Sequence, residues 1–135
     1  MNRLPLAALL ALLPLAAQAQ MQGIAYVQAP EAGWGVAMGA TPSEAFALAT
    51  EDCVETGVMA EDCIPMSWCQ PAGWSIDLFV QHQEGPHWHE FHCGLPDRDT
   101  AEALVEPLCD RAGRPWLIEC ALVQVYDGDR QPQIN

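Results

Sequence analysis

Short apolar runs alternate with two helical runs along the chain, and the order of these runs occurs twice. In the first copy, residues 23–27 and 34–38 are apolar runs separated by a turn segment with proline and glycine, which predicts a β-hairpin. Thr41 is followed by a proline at the first helical position and by a glutamate three positions after the cap, and this capping box predicts a helix to about Gly57. Residues 64–69 are mainly apolar, and the proline within them indicates an edge strand.

The second copy begins with residues 74–80, in which apolar and polar positions alternate. The chain turns at residues 84–86 and returns through residues 88–93, which predicts a second hairpin. Asp99 begins a second capping box, and the helix after it has one apolar face and an internal proline that predicts a kink or an early end. Residues 116–125 predict the last strand. The apolar face comprises Ala101, Leu104, Val105 and Leu108, and the proline is Pro107.

These elements predict the α+β fold class, in which two β-β-α-β repeats form an antiparallel sheet with two helices packed on it. The first repeat covers about residues 22–69 and the second about residues 74–126, and both belong to one disulfide-rich domain, residues 20–135. Alignment of the copies by their capping boxes and alignment by their helix cysteines differ by two residues. The sequence therefore predicts the shared architecture and leaves its register open.

The N-terminal segment, residues 1–19, has the three-part layout of a secretory signal peptide. A positive charge at Arg3 precedes an apolar run that ends in an Ala-x-Ala cleavage site, so we expect cleavage after Ala19. The alternative is a membrane anchor, but the run is shorter than the ~20 apolar residues that span a bilayer, and Pro5 and Pro14 interrupt it. We expect a periplasmic or secreted protein with no membrane insertion after cleavage.

All six cysteines follow this segment. An even number of cysteines in a small exported domain predicts three disulfides, although six cysteines allow about fifteen pairings. In both copies a cysteine late in the helix is followed ten or eleven residues later by a cysteine at the next strand, which favours two local pairs and leaves one pair to link the copies. Zinc binding through cysteines is disfavoured, because no two have C-x2-C spacing. The favoured pairs are Cys53 with Cys63, Cys109 with Cys120, and Cys69 with Cys93.

The balance of charge excludes two classes of partner. Acidic residues number 18 and basic residues 5, with no lysine, so the formal net charge is −13. Nucleic acids and anionic lipid surfaces are bound through cationic side chains, so neither is an expected partner. A basic partner or a bound cation is compatible with the charge, and solubility alone is the alternative reason for it.

All four histidines lie in the second hairpin, and this is the sharpest chemical feature of the sequence. Alternation along a strand places His87 and His89 on one face, where His82 from the paired strand could join them. Three neutral imidazoles on one face suit zinc or copper, so the predicted metal site comprises His82, His87 and His89. His92 falls on the opposite face. The alternative is a solvated hairpin in which histidines alternate with core aromatic residues.

No motif in the sequence indicates an enzyme. The serines lack the G-x-S-x-G setting of a nucleophile elbow, and no C-x-x-C pair indicates a thiol-disulfide exchanger. A cysteine nucleophile would need a free thiol, which an even set of exported cysteines does not predict. We therefore expect no catalytic residues, and no cofactor apart from the zinc or copper of the histidine hypothesis.

The chain also resembles a known family, through segments of its first copy. The similar segments are residues 23–26 (Gly-Ile-Ala-Tyr), the Trp-Gly pair at 34–35, the helix that ends in Cys53 and the strand at Cys63, and the family is the bacterial domain of unknown function 4189. The likeness covers about residues 23–125. It implies a small exported protein of two hairpin-helix-strand units with helix-to-strand cysteine pairs, and no established catalytic residue. The second hairpin departs from the family pattern, since bulky and histidine-rich residues stand where members more often have glycine and small residues.

Together these patterns predict an exported, non-enzymatic small protein of the periplasm or the secreted fraction. Its expected role is to bind a protein partner or to serve in the cell envelope, with the disulfides making it durable. The alternative prediction is a periplasmic metal-binding protein that holds zinc or copper in the histidine-rich hairpin.

Overall fold

The computed structural model describes residues 21–133. The expected signal peptide, residues 1–19, lies outside the described residues. Within residues 21–133, no helix is long and apolar enough to cross a membrane. The elements in chain order are β1 (Gly23–Ala29), β2 (Gly33–Gly39), α1 (Pro42–Glu55), a short 3-10 helix (Ala60–Asp62), β3 (Ile64–Cys69), β4 (Trp74–His82), β5 (His87–Leu95), α2 (Arg98–Ala103), α3 (Val105–Leu108), β6 (Leu117–Tyr126) and β7 (Pro132–Gln133).

The strands form two antiparallel sheets. Sheet 1 has the strand order β2-β1-β3, and sheet 2 has the order β5-β4-β6-β7. The predicted α+β class is confirmed, as are the two hairpins and the edge position of the proline-containing strand β3. The strands divide into two sheets where the sequence suggested one. In both sheets the strand after the helix pairs with the first strand of the hairpin, and the duplication itself stays a prediction.

The two sheets are stacked, with a helical layer on each outer side. One face of sheet 1 packs on α1, and its other face packs on sheet 2, where the ring of Tyr26 stacks on that of Phe91 at a centroid distance of 4.5 Å. The far face of sheet 2 packs on α2 and α3. The space between the sheets therefore holds side chains from both, and it contains the buried polar residues Gln28, Ser75 and Asp77.

Helix α1 begins as the capping box predicts. The Thr41 hydroxyl accepts a hydrogen bond from the Glu44 N–H at 3.3 Å, and the Glu44 carboxylate accepts one at 2.9 Å from the N–H of the residue before the cap. The helix ends at Glu55, slightly before the predicted end. It lies close to β2 because Gly35 has no side chain; a Cβ there would be 2.1 Å from the Ala49 carbonyl oxygen. This close approach brings the C-terminal turn of α1 to the edge of sheet 1.

The second helix begins before the predicted position. Its cap is Asp97, whose carboxylate accepts a hydrogen bond from the Thr100 N–H at 2.7 Å, so the predicted cap at Asp99 is wrong. Aspartate is a good cap at either position, so the capping box that Glu102 completes with Asp99 does not decide between the two. The helix is divided after Ala103, which confirms the predicted break. The reason is Pro107, which has no N–H to donate to the Ala103 carbonyl and whose ring crowds that carbonyl.

The three disulfides join the pairs that the sequence favoured. Two of them tie a helix to the chain that follows it, and the third links β3 of sheet 1 to β5 of sheet 2. No cysteine among the described residues is free. The predicted connectivity is therefore confirmed: the pairs are Cys53–Cys63, Cys109–Cys120 and Cys69–Cys93.

Candidate functional site

A cleft of about 640 Å³ opens at one end of the interface between the sheets. Its walls are the turn between β1 and β2, the C-terminal turn of α1, and the beginning of β5 with a neighbouring residue of β4. The lining includes three carboxylates, two aromatic rings and two histidines of the predicted metal site. These residues are Glu31, Asp52 and Glu55, Trp34 and Phe79, and His87 and His89.

A buried aspartate holds one of these histidines. Nδ1 of His89 lies 2.6 Å from Oδ1 of Asp77, and the Asp77 side chain is 0% exposed whereas that of His89 is 23% exposed. An ionised carboxylate can only accept hydrogen bonds, so we assign the proton of this pair to Nδ1 of His89, which then donates to Asp77. In the neutral imidazole Nε2 is then a hydrogen-bond acceptor, and His89 is one of the residues that line the cleft.

Further contacts fix the position of His89. Gln28 of β1 is buried; its side-chain oxygen accepts from the His89 N–H at 3.1 Å, and its amide nitrogen donates to the His89 carbonyl at 2.9 Å. The imidazole lies among three aromatic rings, with centroid distances of 6.3 Å to Trp34 and 6.0 Å to both Phe79 and Phe91. Both the backbone and the ring of His89 are therefore held by neighbouring side chains.

Glu31 connects His87, the second histidine of the cleft, to the turn between β1 and β2. Its backbone φ is 62°, in the left-handed region that residues other than glycine rarely adopt. Its Oε1 accepts a hydrogen bond from the His87 N–H at 3.2 Å and lies 3.9 Å from His87 Nδ1. The His87 ring also contacts Phe79, at a centroid distance of 5.4 Å. A carboxylate and an imidazole thus lie side by side at the exposed part of the cleft.

The C-terminal turn of α1 adds negative charge to the cleft. Asp52 and Glu55 lie near this end of the helix, and its last turn has no basic residue. The C-terminal end of a helix carries a partial negative charge, which favours cations and disfavours carboxylates. The turn can lie close to β2 because Gly33 has no side chain. A Cβ on Gly33 would be 2.0 Å from Oγ1 of Thr56. The described residues that line the cleft include no arginine, and the chain has no lysine.

The other two histidines lie elsewhere. His82 stacks on Trp116 at a centroid distance of 5.2 Å, and its Nδ1 accepts a hydrogen bond from the Glu84 N–H. Nε2 of His92 lies 3.7 Å from the Glu90 carboxylate. The structure therefore brings together two members of the predicted metal site, His87 and His89, and does not bring His82 to them.

The predicted zinc or copper site is only partly assembled. Among residues 21–133 there is no group of three or more histidine, cysteine, aspartate or glutamate side chains placed to hold a metal ion. His87 and His89 offer imidazole nitrogens to the same cleft, with the Glu31 carboxylate beside His87. Binding of zinc or copper by these residues stays a prediction.

A second charged and aromatic cluster lies at Glu90 and differs from the cleft. Arg114 donates hydrogen bonds to both carboxylate oxygens of Glu90 at 2.9 Å, and its guanidinium lies 5.8 Å from the Trp116 ring. The Trp116 ring is 5.5 Å from that of Trp88. His92 and Arg114 hold the pKa of the Glu90 carboxyl below its usual value. In this cluster, which we call the Glu90 cluster, the carboxylate has cationic partners.

Sequence reasoning missed most of the residues that position His89. Asp77 is a charged residue within an apolar strand, which is a weak sign of a special environment, but no local pattern identifies its partner. Gln28 and Glu31 contact β5 from positions 61 and 56 residues away in the chain. Contacts of this kind depend on how the two sheets stack, which alternation within a strand does not reveal.

Comparisons with known proteins leave the assignment open: no family model matches the chain, and no curated protein or solved structure matches it significantly. The resemblance to the domain of unknown function 4189 therefore stays a prediction. The function must be inferred from the geometry of the cleft.

Proposed function

We propose that the protein is an exported, non-enzymatic binding module whose cleft receives a positively charged group of a protein partner. One observation carries this proposal: apart from the two histidines, every ionisable side chain in the described lining of the cleft is a carboxylate. These carboxylates, Glu31, Asp52 and Glu55, come from two separate elements that meet at the cleft.

The electrostatics of the cleft favour a cation. Asp52 and Glu55 lie near the negative end of α1, where carboxylates are unfavourable by about 0.3–1 kcal/mol each. A bound cation would relieve this repulsion and gain attraction to Glu31. The rings of Trp34 and Phe79 also line the cleft, and an aromatic face contributes about 0.5–2 kcal/mol to the binding of a cation placed over it.

The proposed cellular location, outside the cytoplasm, is supported by the disulfides and by the N-terminal segment. Disulfides persist in oxidising compartments, and three of them cross-link this small domain. The N-terminal segment has the layout of a secretory signal, which leads to the periplasm or the secreted fraction. The overall negative charge disfavours nucleic acid and anionic membrane surfaces as partners.

The test compares two small probes of nearly equal shape, Nα-acetyl-lysine amide and the uncharged Nα-acetyl-norleucine amide. Their binding is followed by NMR, through saturable shifts of the Trp34 indole and His89 ring signals. We expect the lysine probe to bind and the norleucine probe not to bind. Equal affinity for the two probes, or no binding of the lysine probe, would overturn the proposal.

Charge-neutralising variants localise the binding. Glu31→Gln and Glu55→Gln each remove one carboxylate from the cleft, and each is expected to weaken binding of the lysine probe about threefold, in the range of exposed ion pairs. Glu61→Gln is the matched control, because Glu61 is exposed and lies in the 3-10 helix outside the cleft. An equal effect of Glu61→Gln would mean that only the overall charge of the protein matters.

A second candidate function, metal binding, is favoured by the bond between Asp77 and His89. Metal-bound histidines commonly donate their other ring N–H to a carboxylate, as His89 does here. Calorimetric titration with zinc and copper tests this, and His87→Ala and His89→Ala should abolish binding while His82→Ala should not. A dissociation constant no tighter than about micromolar, or ~8 kcal/mol, would reject a functional metal site.

A further inference from the structure

We propose that the cleft selects cations that donate hydrogen bonds, a primary ammonium or a guanidinium, over quaternary ammonium groups, because His89 Nε2 is held as an acceptor within it. This inference rests on the proposed function and names the chemical class of its ligand. A cleft that used only charge and aromatic faces would accept a methylated cation equally well.

Asp77 sets the chemistry of this acceptor. Its carboxylate is 0% exposed and lies 2.6 Å from His89 Nδ1, so the ring proton is on Nδ1. Among the described residues, no side chain or backbone group forms a hydrogen bond with His89 Nε2. The lone pair of Nε2 is therefore available to a ligand in the cleft that His89 lines.

The acceptor is held in one orientation. A half-turn of the imidazole would replace the Nδ1–H that faces Asp77 with a carbon atom and would break the hydrogen bond at 2.6 Å. The stacked ring of Phe91, at a centroid distance of 6.0 Å, and the two hydrogen bonds from Gln28 to the His89 backbone limit displacement. A preorganised acceptor discriminates between ligands by whether they can satisfy it.

The cost of burying Asp77 points to the same role. Burial of a carboxylate is strongly unfavourable unless it is paired, and an apolar residue would fill the space between the sheets without that cost. Oδ2 of Asp77 has no hydrogen-bond partner among residues 21–133, so packing alone does not account for the residue. Asp77 is a positioning residue, and its effect is expressed through Nε2 of His89.

A quaternary ammonium lacks the N–H that Nε2 needs. When such a group enters the cleft, it displaces water from Nε2 and leaves the acceptor without a partner, which is unfavourable. We expect the primary ammonium to bind at least about tenfold more tightly, which corresponds to ~1.4 kcal/mol. The carboxylates attract both cations, so the difference between them reports on the acceptor.

The experiment extends the NMR titration of the purified protein to the Nζ-trimethyl analogue of Nα-acetyl-lysine amide and to Nα-acetyl-arginine amide. The lysine and arginine probes are expected to bind, and the trimethyl probe is expected to bind at least about tenfold more weakly than the lysine probe. Equal or tighter binding of the trimethyl probe would overturn the inference and leave the proposed function intact. Absence of binding by all three cations would overturn the proposed function and the inference with it.

Two variants separate the acceptor from the rest of the cleft. His89→Phe keeps a ring among the aromatic neighbours and removes Nε2, so the lysine probe should lose affinity and the preference for lysine over trimethyllysine should disappear. Asp77→Asn can donate to Nδ1 and thereby move the ring proton to Nε2, which the ¹⁵N shifts of His89 report directly. Retention of the tenfold preference in a folded His89→Phe protein would overturn the inference, and so would Nε2 protonation of neutral His89 in the unchanged protein.

Discussion

The cleft and the Glu90 cluster lie on opposite faces of β5 and hold carboxylates in opposite electrostatic surroundings. In the Glu90 cluster, Arg114 contacts both oxygens of one carboxylate, and His92 lies 3.7 Å from it. In the cleft, three carboxylates and a helix C-terminus meet without an arginine or lysine in the described lining. A carboxylate bonded to an arginine stabilises the fold, whereas carboxylates that meet without an arginine or lysine favour a cationic ligand. The presence or absence of cationic partners, and not the density of histidines, distinguishes the cleft from the Glu90 cluster.

The largest expected effect tests whether the face of β5 that carries His89 contributes more to stability than the face that carries Glu90. Phe91→Ala removes a ring that is 7% exposed and stacks on Tyr26, so we expect unfolding free energy to fall by about 3–5 kcal/mol. Urea unfolding measures this change. Trp88→Ala, on the Glu90 side of the strand, is the comparison and should lose clearly less, because Trp88 is only partly buried. Equal losses of unfolding free energy in the two variants would show that the interface between the sheets is not the main source of stability at β5.

An intermediate effect concerns the pH dependence of the Glu90 cluster. The folded pKa of Glu90 is lowered by His92 and Arg114, so its stabilising contribution is present above the unfolded pKa and is lost as pH falls through the folded pKa. At pH 7 Glu90→Gln should be less stable by up to about 1 kcal/mol, given partial solvent screening. The difference should shrink as the pH falls below the ordinary glutamate pKa of about 4.3. Chemical unfolding at several pH values measures it, and a constant difference would contradict the pairing.

The smallest expected effect has the opposite sign and concerns the cleft. Glu55→Gln removes a carboxylate from the negative end of α1, so we expect the free protein to gain about 0.3–0.5 kcal/mol of stability. The gain should be larger at low salt, where screening is weak. Thermal and urea unfolding at two salt concentrations test it, with Glu61→Gln as the control. A loss of stability would show that Glu55 has a stabilising partner, and the contrast with Glu90 would fail.

The local features of the fold were predictable because their causes are local. The capping box at Thr41, the break caused by Pro107 and the cysteine spacings each depend on residues close together in the chain. The division into two sheets was not predictable in this way, since alternation shows that a strand has a buried face and does not show what covers it. The cap at Asp97 was missed because Glu102 completes a capping box with Asp99, whereas Thr100 stands at the matching position after Asp97.

The two histidines of the candidate site were predictable from the sequence, whereas the residues around them were not. Strand alternation predicted His87 and His89 on one face of a strand, and both line the cleft. The partner of His89 is Asp77, which lies diagonally across the β4–β5 pairing, where Phe79 is opposite His89. Diagonal contacts depend on the register of the strands, which the alternation of apolar and polar residues within one strand does not show. The carboxylates from α1 and the hairpin turn reach the cleft only through the stacking of the sheets.

The side chain of Gln28 has a consequence for how the molecule meets other chains. By bonding to both the N–H and the carbonyl of His89, it occupies an outer edge position of β5 as a neighbouring strand would. On β2, the other edge beside the cleft, Asp52 and Arg130 bond the N–H and the carbonyl of Val36 in the same manner. An exposed edge invites another strand to add to the sheet and so promotes aggregation. These two positions are closed to strand addition, so the protein partner that we propose would enter the cleft with a side chain and not as an added strand.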